Sequence, residues 1–386
     1  MAQACVRHVV VVAGEASGDQ HAADMVQALR GMAPDLKFSG MGGRAMREAG
    51  VDLIVDSTDL AVVGVVEVLA RYGQIRRALN TLKNHLETTR PTLLVLVDYV
   101  EFNLRLAKAA KALGIKVLFY VSPQVWAWRP HRIQKIGAVI DAMAVLFPFE
   151  VDVYRRNGIP VRYVGNPVVD QVRVTQSQPV LREMLGLDLQ RPVLGLFPGS
   201  RNSEIRRHWP VMLAACEQIA QALPQAQFVA GVAAGVDAQS TLMPMAPKSL
   251  SIHYVSGKSH EVMAASDALL ISSGTATLEA GLLQVPMAIL YRVSPLSYAI
   301  LKRFILVPNI GLVNIVAGER IAQEFVQEQA TAAALSAECI RLLSDRNYRE
   351  QMRQRLSVIQ EKLGEGGGSR RVAEMAKELL DTGAIA

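Results

Sequence analysis

Unbroken aliphatic stretches about five residues long, each followed by small polar residues and then a helical pattern, constrain this chain more than anything else in it. In the first half they are HVVVVA at His8–Ala13, LLVLV at Leu93–Val97, and residues 117–121 and 142–147. None alternates apolar with polar side chains, as a strand with one wet face would. Continuous apolarity suits a strand that helices cover on both faces. Residues 19–29 and 103–113 carry helical spacing between such runs. Strand, turn and helix in repeated succession predict a doubly wound parallel sheet. The second half repeats the scheme with Val193–Phe197, residues 227–230, 251–254 and 268–271, and Met287–Tyr291.

The fold class expected is therefore α/β, with two Rossmann-like doubly wound domains facing across a cleft. Turn-prone residues from Gly165-Asn166-Pro167 to Gln176-Ser177-Gln178-Pro179 mark the boundary. This divides the chain into an N-terminal domain over residues 1–168 and a C-terminal domain over 169–363. A glycine-rich break follows over residues 364–369, then a final helix over 370–380 that can return to the first domain. Ligands of such sheets lie beyond the carboxyl ends of the strands.

A hydrophobic content of 51% with 20% charged residues supplies a sizeable core, and a disordered chain is not expected. The net charge of +6 suits anionic lipid, a phosphorylated ligand or nucleic acid. No nucleic-acid motif accompanies it, and nucleic-acid binding is not expected. Cys5, Cys216 and Cys339 are widely separated, which argues against a zinc site or a disulfide framework and fits a reducing cytoplasm. The apolar run after His8 is short and meets Glu15 and Asp19, unlike a secretory signal. No run reaches the roughly 18 apolar residues of a membrane span, so any membrane contact would be peripheral.

Four strand ends carry chemistry. Ser272-Ser273-Gly274-Thr275 leads from a strand into a helix, the arrangement that receives a phosphate on backbone N–H groups. Glu279, one turn in, is placed to accept both hydroxyls of a ribose, or else is an ordinary first-turn acid. Pro198-Gly199-Ser200-Arg201 is a second such turn, in which Arg201 can neutralise a departing diphosphate. Gly14-Glu15-Ala16-Ser17-Gly18-Asp19 follows the first strand but lacks the GxGxxG spacing of a dinucleotide site. Asp98 directly follows Leu93–Val97, as either a proton acceptor or a helix cap.

Together these pieces resemble the lipid A disaccharide synthase family of GT-B glycosyltransferases. The resemblance rests on AGEASGD at residues 13–19, GMGG at 40–43, SPQVWAWR at 122–129, VGNP at 164–167, PGSR at 198–201, SSGTATLEAGLLQVP at 272–286 and Tyr291-Arg292. Val313 and Gln323 depart from it, at positions where relatives often carry proline. The resemblance implies that UDP-2,3-diacylglucosamine and 2,3-diacylglucosamine 1-phosphate give a β-1′,6-linked disaccharide 1-phosphate and UDP. It implies inversion by in-line displacement, with no cofactor and no bound metal. Asp98 is then the base for the acceptor hydroxyl, with Glu15 and Asp19 as rivals. Gly199, Ser200, Arg201, Ser273, Gly274 and Thr275 would hold the diphosphate, Glu279 the ribose, and Asn314 part of the UDP. Ser17, Asp19, Arg129 and Arg132 are the acceptor candidates.

Acylated substrates need an apolar surface, since each buried methylene contributes about 0.8 kcal/mol. Residues 60–70 offer one through Val62, Val63, Val65, Val66, Val68 and Leu69, trailed by Arg71, Arg76 and Arg77. Aliphatics beside arginines suit the anionic inner face of a cytoplasmic membrane; a core segment with solvated charges reads equally well. The oligomeric state stays open. The alternatives are another UDP-N-acetylglucosamine enzyme of the same fold, an epimerase or a peptidoglycan-type transferase, and a non-catalytic anionic-lipid-binding module.

Overall fold

A computed structural model describes residues 7–58, 72–125, 131–294, 298 and 308–385. The chain divides into two compact units, Met1–Pro167 together with Gly366–Ala386, and Val168–Glu365.

The first unit is built on strands β1 (His8–Ala13), β2 (Lys37–Gly42), β3 (Asp52–Asp56), β4 (Leu93–Val97), β5 (Lys116–Tyr120), β6 (Ala142–Val145) and β7 (Val161–Tyr163). They form one parallel sheet in the order β3-β2-β1-β4-β5-β6-β7. Alternate residues of β1 serve opposite cores. Val9, Val11 and Ala13 pack with Met25, Val26 and Leu29 of the helix Ala16–Met32. The same face takes Val372, Met375, Ala376 and Leu379 of the last helix, Gly368–Thr382. Val10 and Val12 pack with Leu82 and Leu86 of the helix Tyr72–Thr89 and with Leu106 of the helix Val100–Ala112. A strand enclosed in this way has no wet face, which is why HVVVVA shows no alternation.

The second unit has strands β8 (Val193–Phe197), β9 (Gln227–Val232), β10 (Ile252–Ser256), β11 (Ala268–Ser272), β12 (Met287–Tyr291) and β13 (Gln323–Val326). They too are parallel, in the order β10-β9-β8-β11-β12-β13. Each sheet therefore reverses its winding once, between β1 and β4 in the first and between β8 and β11 in the second. At such a point neighbouring connections leave to opposite faces and open a crevice beyond the strand ends.

Strands β2, β3, β7 and β13 lie outside the apolar runs read from the sequence. In β2 the sequence is KFSGMG, and its Gly40 is required by proximity. A Cβ there would sit 1.9 Å from the Val11 carbonyl oxygen, and the residue has φ +150°. β7 is a three-residue edge strand, too short to carry a pattern.

Candidate active site

At the reversal point of the first sheet, β4 ends in Val97 and the Asp98 N–H still donates to the Tyr120 carbonyl at 3.0 Å. The chain then turns through two left-handed residues, Asp98 at φ +49° and Tyr99 at φ +40°, before the helix Val100–Ala112 begins. Neither is a glycine. Such conformations cost about 1–3 kcal/mol each and persist only where the surroundings enforce them. The Tyr99 ring rests on Gly14 at the end of β1, where a Cβ would lie 2.4 Å from Tyr99 Cδ1.

This turn borders a cavity of about 420 Å³, lined by Glu15, Asp98, Tyr99 and Glu101 among polar groups and by Tyr72, Ile75, Leu79 and Phe102 among apolar ones, with Arg76 and Arg105 at its wall. Burial, reinforced by the nearby Glu15 carboxylate, pushes the Asp98 carboxyl up to about 6. A carboxylate so placed is basic enough to take a proton from a sugar hydroxyl and is still ionised at neutral pH.

At the reversal point of the second sheet a cavity of about 380 Å³ lies beyond β8 and β11. Gly199, Ser200, Arg201, Ser273, Gly274, Thr275 and Glu279 all line it. Gly199 has φ +119°, and a Cβ on it would meet Glu204 Oε2 at 2.7 Å. Arg201 is exposed, and its guanidinium meets Glu204 Oε1 at 3.0 Å, while the Ser200 N–H donates to Glu204 Oε2 at 3.3 Å. Behind the turn His208 is fully buried. Its Nδ1–H donates to the Pro198 carbonyl at 2.8 Å, and its Nε2 accepts from the Arg292 N–H at 3.1 Å. One imidazole thus ties the Gly199 turn to the end of β12. Glu279 meets His260 Nε2 at 3.4 Å, and hydrogen bonding to Glu279 raises the imidazole's proton affinity.

A model of the family described as lipid-A-disaccharide synthetase matches residues 9–378. The lipid-A-disaccharide synthase of Geobacter sulfurreducens is 46% identical over 372 residues, covering 96% of this chain and 97% of the relative. The chain belongs to the lipid-A-disaccharide synthetase family. That of Coxiella burnetii is 40% identical over 374 residues, covering 97% of this chain and 99% of the relative. As a lipid-A-disaccharide synthase-type protein the chain is a glycosyltransferase of the GT-B fold. Two solved structures share that fold at low identity. Acinetobacter baumannii MurG has a TM-score of 0.59 at 13% identity, covering 96% of this chain and 99% of its own. The UDP-GlcNAc 2-epimerase of Neisseria meningitidis, bound to UDP-GlcNAc, has a TM-score of 0.63 at 13% identity, covering 96% and 100%.

Two residues that the sequence placed at this synthetase's ligands have other employment in the structure. Asn314 is fully buried in the helix Leu312–Ala317. Its Nδ2 donates to the Ala322 carbonyl and to Glu324 Oε1, each at 2.8 Å, and its Oδ1 accepts from the Ile321 and Ala322 N–H groups at 2.8 and 3.0 Å. Every donor and both lone pairs are taken, so nothing is left for UDP. Asn314→Ala is expected to lose roughly 2–3 kcal/mol of stability, because it strands buried partners; urea denaturation with parallel UDP titration checks this, and weaker UDP binding without loss of stability would restore the ligand role. Asp19 is likewise buried. Its oxygens accept from the N–H groups of Gly43, Ala45 and Met46 at 2.6, 2.9 and 3.3 Å, at the start of the helix Arg44–Glu48. Its carboxylate thus caps that helix.

Ser17 is exposed near the start of the helix Ala16–Met32, and Glu15 just before it is exposed too. Arg132 meets Glu101 of the first cavity at 2.6 Å. Ser273 gives its N–H to Leu290 and its hydroxyl to the Ile310 carbonyl at 2.8 Å, so it braces a neighbouring loop. Arg129 and the docking candidates Val62, Val63, Val65, Val66, Val68 and Leu69 lie outside the described residues. Among the described residues no helix is long and apolar enough to cross a membrane, and no His, Cys, Asp and Glu cluster could hold a metal ion. Tyr99, Glu204, His208 and His260 were missed in the sequence. His208 sits ten residues past Pro198, and only the folded chain brings its ring behind that turn.

Proposed function

We propose that this synthetase transfers 2,3-diacylglucosamine from UDP to the 6-hydroxyl of 2,3-diacylglucosamine 1-phosphate, forming the β-1′,6-linked disaccharide 1-phosphate. The observation that carries the reading is a buried carboxylate of raised basicity at one sheet's reversal point, matched by a glycine turn with an exposed arginine at the other's. The acceptor oxygen attacks the donor's anomeric carbon as its proton passes to the Asp98 carboxylate. The bond from that carbon to the diphosphate oxygen breaks on the opposite face, and UDP departs with the electron pair. Configuration inverts because there is a single displacement.

Charge gathers on the diphosphate as it leaves. Arg201 and the Ser200 N–H are the donors assigned to it, taking the diphosphate in place of the Glu204 carboxylate that holds them now. Glu279 is assigned to the ribose hydroxyls, with His260 orienting its carboxylate. The apolar wall of Tyr72, Ile75, Leu79 and Phe102 gives the base a poorly hydrated setting and suits the aliphatic part of an acylated sugar. Substrates of that kind reside in a bilayer, so we assign the enzyme to the inner face of the cytoplasmic membrane as a peripheral protein.

Purified protein given labelled UDP-2,3-diacylglucosamine and 2,3-diacylglucosamine 1-phosphate is expected to release UDP and yield a disaccharide whose linkage reads as β-1′,6. Omitting the acceptor should leave the donor intact. UDP release without the acceptor, or equal use of a deacylated acceptor, would refute the proposal.

A further inference from the structure

Asn103 is fully buried, at the fourth position of the helix Val100–Ala112. Its Nδ2 donates to the Val97 carbonyl at 3.2 Å and to the Asp98 carbonyl at 2.7 Å. Side chains in a helix lean toward its N-terminus, so a short amide here reaches back onto the segment that precedes the first turn. The two carbonyls belong to the peptide groups on either side of the Asp98 Cα. A single side chain thus grips both peptides of a residue whose own φ, like that of Tyr99 beside it, is left-handed. Packing does not call for an amide at this place. Its helix neighbours Phe102, Leu106, Ala107 and Ala110 are apolar and join the core. The Asn103 Oδ1 is buried without a hydrogen-bond partner, an unfavourable arrangement that an aliphatic side chain would avoid.

We infer that Asn103 is a positioning residue for the transfer reaction: by holding both peptides of Asp98 it aims the Asp98 carboxylate at the acceptor hydroxyl. The inference rests on the reading of Asp98 as the base. A base that is off by an ångström loses much of its advantage, because proton transfer needs hydrogen-bond distance and alignment. Orientation also sets basicity. The carboxylate lies among Glu15 from the segment after β1, Arg76 from the helix Tyr72–Thr89, and Tyr99, Glu101 and Arg105 from its own side of the cavity. If the turn relaxes toward solvent, Asp98 regains water and moves away from Glu15, and its affinity for the proton falls.

The test uses the whole chain with Asn103→Leu, which keeps the branching and heavy-atom count and removes the donor, and Asn103→His, whose Nδ1–H can stand near the lost amide. For Asn103→Leu, kcat should fall roughly 10–100-fold, with UDP affinity within about twofold of the parent. The acid limb of the kcat profile should move below its parental position, and Asn103→His should recover part of kcat and of the limb. A purely structural role would lower stability and leave the limb where it was. The proposal is overturned if folded Asn103→Leu, judged by circular dichroism and UDP binding, keeps both kcat and the acid limb. It is also overturned if kcat falls with the limb unmoved. Should Asn103→Leu not fold, Asn103→Ala is read by the same two measures. Asp98→Asn run alongside separates the two claims. If that variant turns over normally, the base assignment fails; if it is inactive while Asn103→Leu is unaffected, only the positioning role fails.

Discussion

Asp98→Asn is expected to lower turnover by roughly 10²–10⁴-fold while leaving UDP affinity unchanged, since the residues proposed for the diphosphate belong to the other unit. In the parent enzyme the rate should fall as pH drops through about 6, where the base takes up a proton. The same shift makes a stability claim of opposite sense. Folding raises the carboxyl from 3.8 to about 6, so between these values the folded state binds more protons than the unfolded one and stability declines as pH rises. Above about 6 the ionised, buried carboxylate is a net penalty of roughly 2–3 kcal/mol at most. Asparagine carries no charge, so the inactive variant should melt higher than the parent at pH 8 and lose that advantage toward pH 4. Full turnover in Asp98→Asn would dispose of the base assignment, and equal melting at pH 8 would dispose of the desolvation account of it.

Arg201→Ala should reduce kcat/KM for the donor by roughly 10²–10³-fold, the scale seen when one preorganised donor is taken from developing charge. UDP affinity should weaken as well, by about tenfold or more, because a hydrogen bond to a charged group contributes about 1.5–3 kcal/mol. Arg201→Lys should recover only part of the loss, since an ammonium supplies charge without the planar fork that fits a phosphate. Isothermal titration with UDP and steady-state kinetics read the two effects separately. A wild-type kcat/KM in Arg201→Ala would place the leaving-group charge on other residues. The guanidinium is exposed, and among the described residues Glu204 is its ion-pair partner, so its removal should leave the fold intact.

Much of the scaffold was legible because burial on both faces imprints a run rather than an alternation. HVVVVA and LLVLV are strands whose alternate residues serve two cores, and VLGLF and MAILY are strands buried along nearly their whole length. β2 was not legible, since Ser39 and Gly40 interrupt its apolarity for reasons that lie in β1. The same contrast holds at the site. Gly199, Arg201, Gly274 and Thr275 follow strand ends and Glu279 lies one turn into the helix beyond, and a single cavity collects all five. Asn314 and Asp19 look the same as ligand residues in a sequence, because a polar side chain near a motif gives no sign of whether its partners are substrate or backbone. Only the fold shows that Asn314 is saturated by its own chain and that Asp19 accepts from three backbone N–H groups. The strain at Tyr99 and the amide of Asn103 behind it leave no local mark, for tyrosine does not announce a left-handed φ and the enrichment of aspartate there is too weak to single out Asp98.

The helix Gly368–Thr382 belongs to the first unit although the whole of the second intervenes before it. The unit nearest the amino end is thus completed last. On the ribosome, β1 through β7 emerge with the helix Ala16–Met32 already against Val9 and Val11 of β1, and Val372, Met375 and Leu379 join that core only after the whole second unit has been made. The contiguous span Val168–Glu365 has no such wait. Birth order therefore inverts reading order: the unit that carries the Gly199 turn is contiguous and can mature first, while the unit that carries Asp98 still waits for Gly368–Thr382.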